Sequence, residues 1–287
     1  MAFTGDILPH SPLVARAQRN AQGFSPMFDD ITPLIASADL AICHLETPIA
    51  PQGESLSTFP FFGVPPTITN AIARAGFDRC STASNHTYDR GVKGIDATVN
   101  ALLANNVAQS GMARTPIEIE PQTFSVNGVV LSHLSYTFSY NGLSLPSDQE
   151  WRSALIDTDR ILRDAHTARE MGAEVVIVSM HWGNEMSNQL NSQQLSVADA
   201  LTKSGDVDLI GLARLLAIEP DAPESLLVGN DPLQQVRPIS TGIRLIDKMG
   251  VMEILWYARQ LKRIANGRSP QPRESGLWAF LASILKN

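Results

Sequence analysis

Five polar residues that could together hold a divalent cation stand directly after four separate apolar runs. Asp6 follows the first run and Glu46 the second, while Asn85 and His86 follow the third and His181 the fourth. Carboxylate oxygens, imidazole nitrogens and an amide oxygen are ligands that suit Mn, Fe, Mg or Zn. All five are therefore predicted as metal ligands.

Each of these residues also has an ordinary structural explanation when it is considered alone. Asp6 could cap a helix or close a turn, and Glu46 could be a solvated loop carboxylate. The Ser84-Asn85-His86 segment could open a turn, and His181 could be a core histidine with its hydrogen bonds satisfied. Their joint occurrence at four strand ends favours one shared cleft over four unrelated explanations.

The elements that must position these residues alternate between strand and helix. Apolar runs predict strands at 1–7, 39–44, 78–82, 174–179 and 207–210. Helical spacing or helix start and stop signals predict helices at 28–37, 65–75, 95–106, 158–171 and 192–203. Asn127-Gly128 between two further runs, 122–126 and 129–134, predicts a β-hairpin. The pattern predicts a layered α/β domain with its chemistry at the carboxyl ends of the strands.

Composition limits the partners that this chain of 287 residues can have. A formal net charge of −7, with no block of basic residues, gives no footprint for nucleic acid or an anionic membrane. No apolar stretch is long enough to cross a bilayer, so the chain as given is expected to be cytoplasmic, and an anchor further upstream would be invisible here. Cys43 and Cys80 lie in apolar runs and are expected to be buried free thiols.

Four segments in the first two-thirds of the chain resemble the successive motifs of the CapA family of bacterial capsule-synthesis proteins. They are FTGDIL at 3–8, ADLAICHLETP at 38–48, STASNH at 81–86 and VIVSMHWGNE at 176–185. Their order and spacing match, and the resemblance covers about residues 1 to 205. It implies a metallophosphatase-like sandwich that helps to make or export capsular poly-γ-glutamate. The resemblance further implies action on a phosphate- or amide-linked intermediate. The implied partners are the capsular polymer or its precursor and other capsule-synthesis proteins.

The resemblance also implies a role for each residue that matches a motif. Asp6 and Glu46 would hold metal, Asn85 would offer its amide oxygen, and His86 would ligate or protonate a leaving group. His181 would line the same site, and Asn85, His86 and His181 would be its catalytic residues. His10 is a further candidate ligand, and Asp89 would orient the ring of His86.

The resemblance breaks after the strand at 207–210. The family pattern continues there with a Gly-His-His-Pro-His type of segment, whereas this chain reads GLARLLAIEP at 211–220 and has no histidine after His181. A dinuclear site with all of its imidazoles therefore cannot be completed from this chain. The alternative function is a non-catalytic component that binds or exports the polymer.

Residues 205–287 instead resemble the carboxyl end of old-yellow-enzyme-like FMN oxidoreductases. There Gly211 and Arg214 would match residues that bind the FMN phosphate. Residues 1–205 show no barrel repeat that could hold the flavin ring, so FMN is not expected and a flavoenzyme remains only a further alternative. The predicted domains are a metallophosphatase-like domain at 1–210 and a mainly helical extension at 211–287, with a Pro-rich linker near 267–276.

Overall fold

A computed structural model describes residues 1–184, 190–211, 256, 259–260, 263, 267–271 and 274–278. The chain divides into two compact units, which are Met1–Asn184 with Leu190–Gly211 and Glu185–Gln189 with Leu212–Asn287. All of the polar residues that the sequence places at strand ends belong to the first unit.

The first sheet contains four parallel strands in the order β1-β2-β3-β4. Its strands are β1 (Ala2–Ile7), β2 (Ala41–Leu45), β3 (Arg79–Ser81) and β4 (Ala108–Ser110). The helices in this half are α1 (Ser11–Gln18), α2 (Thr32–Ile35), α3 (Thr67–Ala75) and α4 (Gly91–Ala104). Because the strands are parallel, all four carboxyl ends lie at one edge of the sheet.

The second sheet begins with an antiparallel hairpin and continues with parallel strands, in the order β5-β6-β7-β8. Its strands are β5 (Thr123–Val126), β6 (Val129–Thr137), β7 (Val175–His181) and β8 (Leu209–Ile210), with helices α5 (Thr158–Glu170) and α6 (Ser192–Ser204). Asn127 and Gly128 both have positive φ, as a tight hairpin turn requires. The predicted hairpin is therefore present at the predicted turn.

The alternation of side chains along the strands builds four layers. In β2, Ala41, Cys43 and Leu45 pack in the cluster that includes helix residues of the first half. The intervening Ile42 instead packs against Leu131 and Ile177 of the second sheet. The residues of β6 and β7 that point the other way contact α5 and α6. The predicted layered α/β sandwich with a central hairpin is confirmed.

Some local predictions differ from the structure. The helix expected at 28–37 is a 3₁₀ turn at Ser25–Met27 followed by the one-turn α2, because the proline at position 33 fits only the first turn of a helix. Strand β4 was not predicted, since its half-buried sequence Ala-Gln-Ser has no apolar run to reveal it. Among the helices in the described ranges, none combines the length and apolar character needed to cross a membrane.

The expectation of free thiols is wrong. Cys43 and Cys80 are register partners on β2 and β3, and they are joined in a disulfide with a Cα–Cα distance of 4.4 Å. Both residues are almost fully buried. Sequence alone could not show that these strands would be neighbours in this register.

In the second unit, the described residues show a packed segment where the sequence predicted a linker. The side chain of Glu274 accepts hydrogen bonds from Arg259 Nε and Gln260 Nε2, each at 2.8 Å. Its backbone carbonyl accepts from Nε1 of the buried Trp256 at 2.9 Å. This segment is thus tied to helical residues of its own unit, while most of the predicted helical extension lies outside the described residues.

Candidate metal centre

The two sheets bring three potential ligands together at the carboxyl ends of their strands. Asp6 and His44 are register partners on β1 and β2, and His181 is the last residue of β7 in the other sheet. His44 Nε2 lies 3.1 Å from His181 Nδ1, and Asp6 Oδ1 lies 3.9 Å from the first nitrogen and 4.0 Å from the second. The three atoms could therefore hold one metal ion between them.

The donor set and its spacing fit a divalent cation. Two imidazole nitrogens on one tetrahedral ion, each at about 2.0–2.1 Å, would lie about 3.3 Å apart, close to the spacing of His44 and His181. The carboxylate of Asp6 is more than half exposed, so its side chain can turn to close the remaining distance. Nδ1 of His44 lies 2.8 Å from Ser81 Oγ, which fixes the ring with Nε2 toward the site.

Burial keeps both imidazoles in the neutral form that binds metal. It lowers the pKa of His181 to about 4, and the neighbouring His44 and His86 add to this effect while Asp6 opposes it. Burial also lowers the pKa of His44, against the attraction of Asp6. At neutral pH, neither ring therefore carries a positive charge that would repel a cation.

Glu46 and His86 extend the cluster along the same cleft. Glu46 Oε1 lies 4.0 Å from His181 Nε2 and 3.9 Å from His86 Nε2, and both Glu46 and His86 are buried. The predicted residues Asp6, Glu46, His86 and His181 are thus contiguous, with Glu46 between the two histidines.

The orientation of His86 is fixed by Asp89. Asp89 Oδ2 lies 2.7 Å from His86 Nδ1 and also accepts a hydrogen bond from the backbone N–H of Phe62 at 2.7 Å. A carboxylate only accepts hydrogen bonds, so Nδ1 of His86 carries the proton and Nε2 faces Glu46. The ring of Phe62 packs edge-on against His86 at 4.7 Å between centroids.

The loop that presents Phe62 is held by Arg90. Its guanidinium donates to Phe62 O at 3.2 Å, to Ser55 O at 2.6 Å and to Ser57 Oγ at 2.6 Å. A Cβ added at Gly63 would lie only 2.2 Å from Arg90 Nε. Gly63 therefore provides the space in which the arginine holds this loop.

Asn85 lies next to the cluster without joining the three-ligand group. Its Nδ2 donates to Asn141 Oδ1 at 3.2 Å. Its Oδ1 is buried and meets no hydrogen-bond partner within the described part of the chain. An amide oxygen left in this position suits the predicted role as an acceptor or ligand, which remains a prediction.

The remaining candidates fall elsewhere. His10 is exposed and contacts the edge of Phe62 at 5.2 Å between ring centroids, and it belongs to no metal-binding group that the described residues form. Gly211 is exposed at the end of the first unit, whereas Arg214 lies outside the described residues. The sequence did not single out His44, which lies within the apolar run of β2 on the same strand face as Ile42.

Comparison with known proteins identifies related capsule proteins. A family model described as bacterial capsule synthesis protein PGA_cap matches residues 1–211. The capsule biosynthesis protein CapA of Bacillus anthracis is 22% identical over 200 residues, which cover 67% of this chain and 49% of that protein. The PGA biosynthesis protein CapA of Bacillus subtilis strain 168 is 21% identical over 214 residues, covering 73% and 56%. The chain thus spans about half the length of these relatives.

The similarity to solved structures is low. A hypothetical protein from Thermus thermophilus has a TM-score of 0.39 and 16% identity, over 72% of this chain and 64% of that one. The old yellow enzyme homologue from Zymomonas mobilis has a TM-score of 0.31 and 11% identity, over 82% and 90%. Neither likeness is close enough to support a conclusion about this chain.

Proposed function

This chain belongs to the bacterial capsule synthesis family PGA_cap, and on that premise we propose that it is a metal-dependent hydrolase or transferase. The intermediate it acts on would carry a phosphate or amide linkage and would belong to the synthesis of capsular poly-γ-glutamate. The observation that carries the proposal is the convergence of Asp6, His44 and His181 from three strands of two sheets.

The residues of the first unit suit a division of labour. Asp6, His44 and His181 would hold the cation, which would polarise the phosphoryl or carbonyl oxygen of the substrate. Glu46 lies between His181 and His86, at 4.0 and 3.9 Å. Its carboxylate would accept a proton or complete the ligand set.

His86 is the candidate proton donor to the leaving group. As an imidazolium, His86 would keep its Nδ1–H on Asp89 and would deliver the proton on Nε2, the nitrogen that faces the cleft. Removal of Asp89 would free the ring to turn and would reduce proton transfer without removing a ligand from the three-residue group.

One sequence feature favours a second candidate function, a component that binds capsular polymer without chemistry. The chain has no histidine after His181, so the imidazoles that complete a second metal position in the family pattern are not available. A protein with an intact polymer site and an inactive metal site would be such a component.

Hydrolysis assays on the full chain separate the two functions. We expect Mn²⁺-loaded protein to cleave p-nitrophenyl phosphate esters or γ-glutamyl-p-nitroanilide, with loss of at least about a hundredfold in rate in the His86→Gln variant. The exposed His166→Gln variant is the matched control. Binding of polymer without cleavage of either substrate class, at saturating metal, would support the non-catalytic function instead.

A further inference from the structure

A cavity lies on the chain segment that leads from β6 to α5. It has a volume of about 460 Å³, within the range of ligand pockets in proteins. Tyr140 contributes to its wall, and the next residue, Asn141, accepts the hydrogen bond from Asn85 of the metal centre. The β6–α5 cavity and the metal centre therefore share one loop.

Two buried hydroxyl groups line this cavity. Tyr140 is 5% exposed and Ser153 is 2% exposed, and their hydroxyls lie close to each other but meet no partner with full hydrogen-bond geometry within the described part of the chain. Burial raises the pKa of Tyr140 to about 12, with the nearby Ser153 acting in the opposite direction, so the phenol remains a donor at neutral pH. Buried hydroxyls are normally paired, and a ligand acceptor would satisfy this pair.

Two arginines stand three residues apart on α5 at the same cavity. Arg160 is anchored by Asp164, whose carboxylate also accepts from Tyr136. Arg163 is exposed and makes no ion pair with any residue in the described ranges. Residues at this spacing share one face of a helix, so both guanidinium groups can approach one ligand.

Two carboxylates also line the cavity, and their charge disfavours a ligand with more than one anionic group. Asp157 is engaged as the N-cap of α5, where it accepts from the backbone N–H of Arg160 at 2.8 Å. Glu150 lies on the wall and would repel a second anionic group. Leu143 and Leu155 supply apolar surface of the kind that packs against a short aliphatic stem.

We propose that the β6–α5 cavity binds a carboxylate that sits beside an amide on a short aliphatic stem. The arginines would take the carboxylate, the hydroxyls of Tyr140 and Ser153 would donate to its oxygens or to the amide carbonyl, and the leucines would cover the methylenes. This is the chemistry of one γ-linked glutamyl unit, and that assignment of the ligand rests on the proposed function. The cavity would hold one unit of the polymer while a neighbouring linkage reaches the metal centre.

The test uses a capped unit, N-acetylglutamic acid γ-methylamide, titrated into the full chain and followed by saturation-transfer NMR. We expect Arg163→Ala to raise the Kd at least about tenfold, as loss of a charged hydrogen bond does, and Tyr140→Phe to raise it about threefold or more. Arg74→Ala, which removes an exposed arginine on α3, should leave the Kd within about twofold. The α-carboxamide of the same compound should bind far more weakly.

Three results would each overturn the proposal. They are equal binding of the acid and its amide, an unchanged Kd for Arg163→Ala, and no binding of the acid to the wild type at about 20 mM, roughly the weakest affinity expected for a single unit. A second titration after EDTA treatment separates the test of ligand binding in the cavity from the test of the proposed enzyme activity. Retained binding by an inactive, metal-free protein would support the cavity while leaving the hydrolase unsupported. An active enzyme that does not bind the capped unit would support the hydrolase and contradict the proposed ligand of the cavity.

Discussion

His44 Nε2 and His181 Nδ1 lie 3.1 Å apart although 137 residues separate them in the chain. At this distance one ring donates a hydrogen bond to the other when no ion lies between them. A cation held by both nitrogens needs both lone pairs, so binding must break this hydrogen bond and release or move its proton. The pair links the two sheets at the site.

The contact between Asp89 and His86 gives the first prediction. In Asp89→Asn, the amide can either donate to or accept from Nδ1, so the proton on His86 is no longer fixed to that nitrogen. We expect the hydrolytic rate to fall by about ten- to a hundredfold while the metal content stays at the wild-type value. Asp96→Asn, which breaks the ion pair with Arg152, is the matched control and should keep its rate. Equal losses in both variants would show that Asp89 has no special role.

A second prediction concerns pH and the buried His133. This histidine lies between the sheets, with Ser179 Oγ 2.9 Å from Nε2 and Arg79 Nε 3.4 Å from Nδ1. Burial is the main cause that holds the pKa of His133 well below 6.5, and the positive charge of the nearby Arg79 adds to it. Below pH 6.5 this histidine binds a proton in the unfolded chain but stays neutral in the folded chain. The free energy of unfolding therefore decreases as the pH falls from 6.5 toward the lower pKa of the folded state.

Urea unfolding of the metal-free protein at about pH 7.5 and about pH 5.5 measures this effect. His133 should contribute a loss of up to about 1.4 kcal/mol per pH unit below about 6.5. In His133→Gln the free energy of unfolding should be lower at both pH values. It should fall less steeply as the pH is lowered, by the amount that His133 contributes. His166→Gln, at an exposed position, should decline as the wild type does. The same slope in all three proteins would contradict the assignment.

The third prediction tests the arginine that holds the loop of Phe62. In Gly63→Ala the new methyl group would lie 2.2 Å from Arg90 Nε, so the guanidinium must leave the loop. We expect a loss of about 1–3 kcal/mol in unfolding free energy and a lower hydrolytic rate, because Phe62 supports both His86 and Asp89. In an Arg90→Ala background the same change should cost much less. Additive losses would mean that Gly63 acts independently of Arg90.

Much of the fold could be predicted because the signals are local. The Asn127-Gly128 turn and the β-branched run of β7 each depend on a few neighbouring residues, and both elements are present. Strand β4 and the disulfide of Cys43 and Cys80 depend on which strands become neighbours, and nothing in the local sequence states that. Tertiary pairing decided these features.

The grouping of the candidate residues could be predicted to the extent that it follows strand ends. Asp6, Glu46, His86 and His181 come together because parallel strands direct their carboxyl ends to one edge. His44 lies inside an apolar strand and was missed, since only the pairing of β1 with β2 brings it beside Asp6. His10 is a loop residue, and it packs against Phe62 instead of joining the ligands.

Metal content of the purified full chain tests the central claim most directly. After incubation with Mn²⁺ or Zn²⁺ and gel filtration, we expect about one tightly held ion per chain, because the ligands of one position converge while the distal histidines are missing. His44→Gln and His181→Gln should each weaken binding by at least about ten- to a hundredfold, and His166→Gln should not. A chain that retains no ion, or that retains the same amount when His44 or His181 is replaced, would contradict a metal centre at these strand ends.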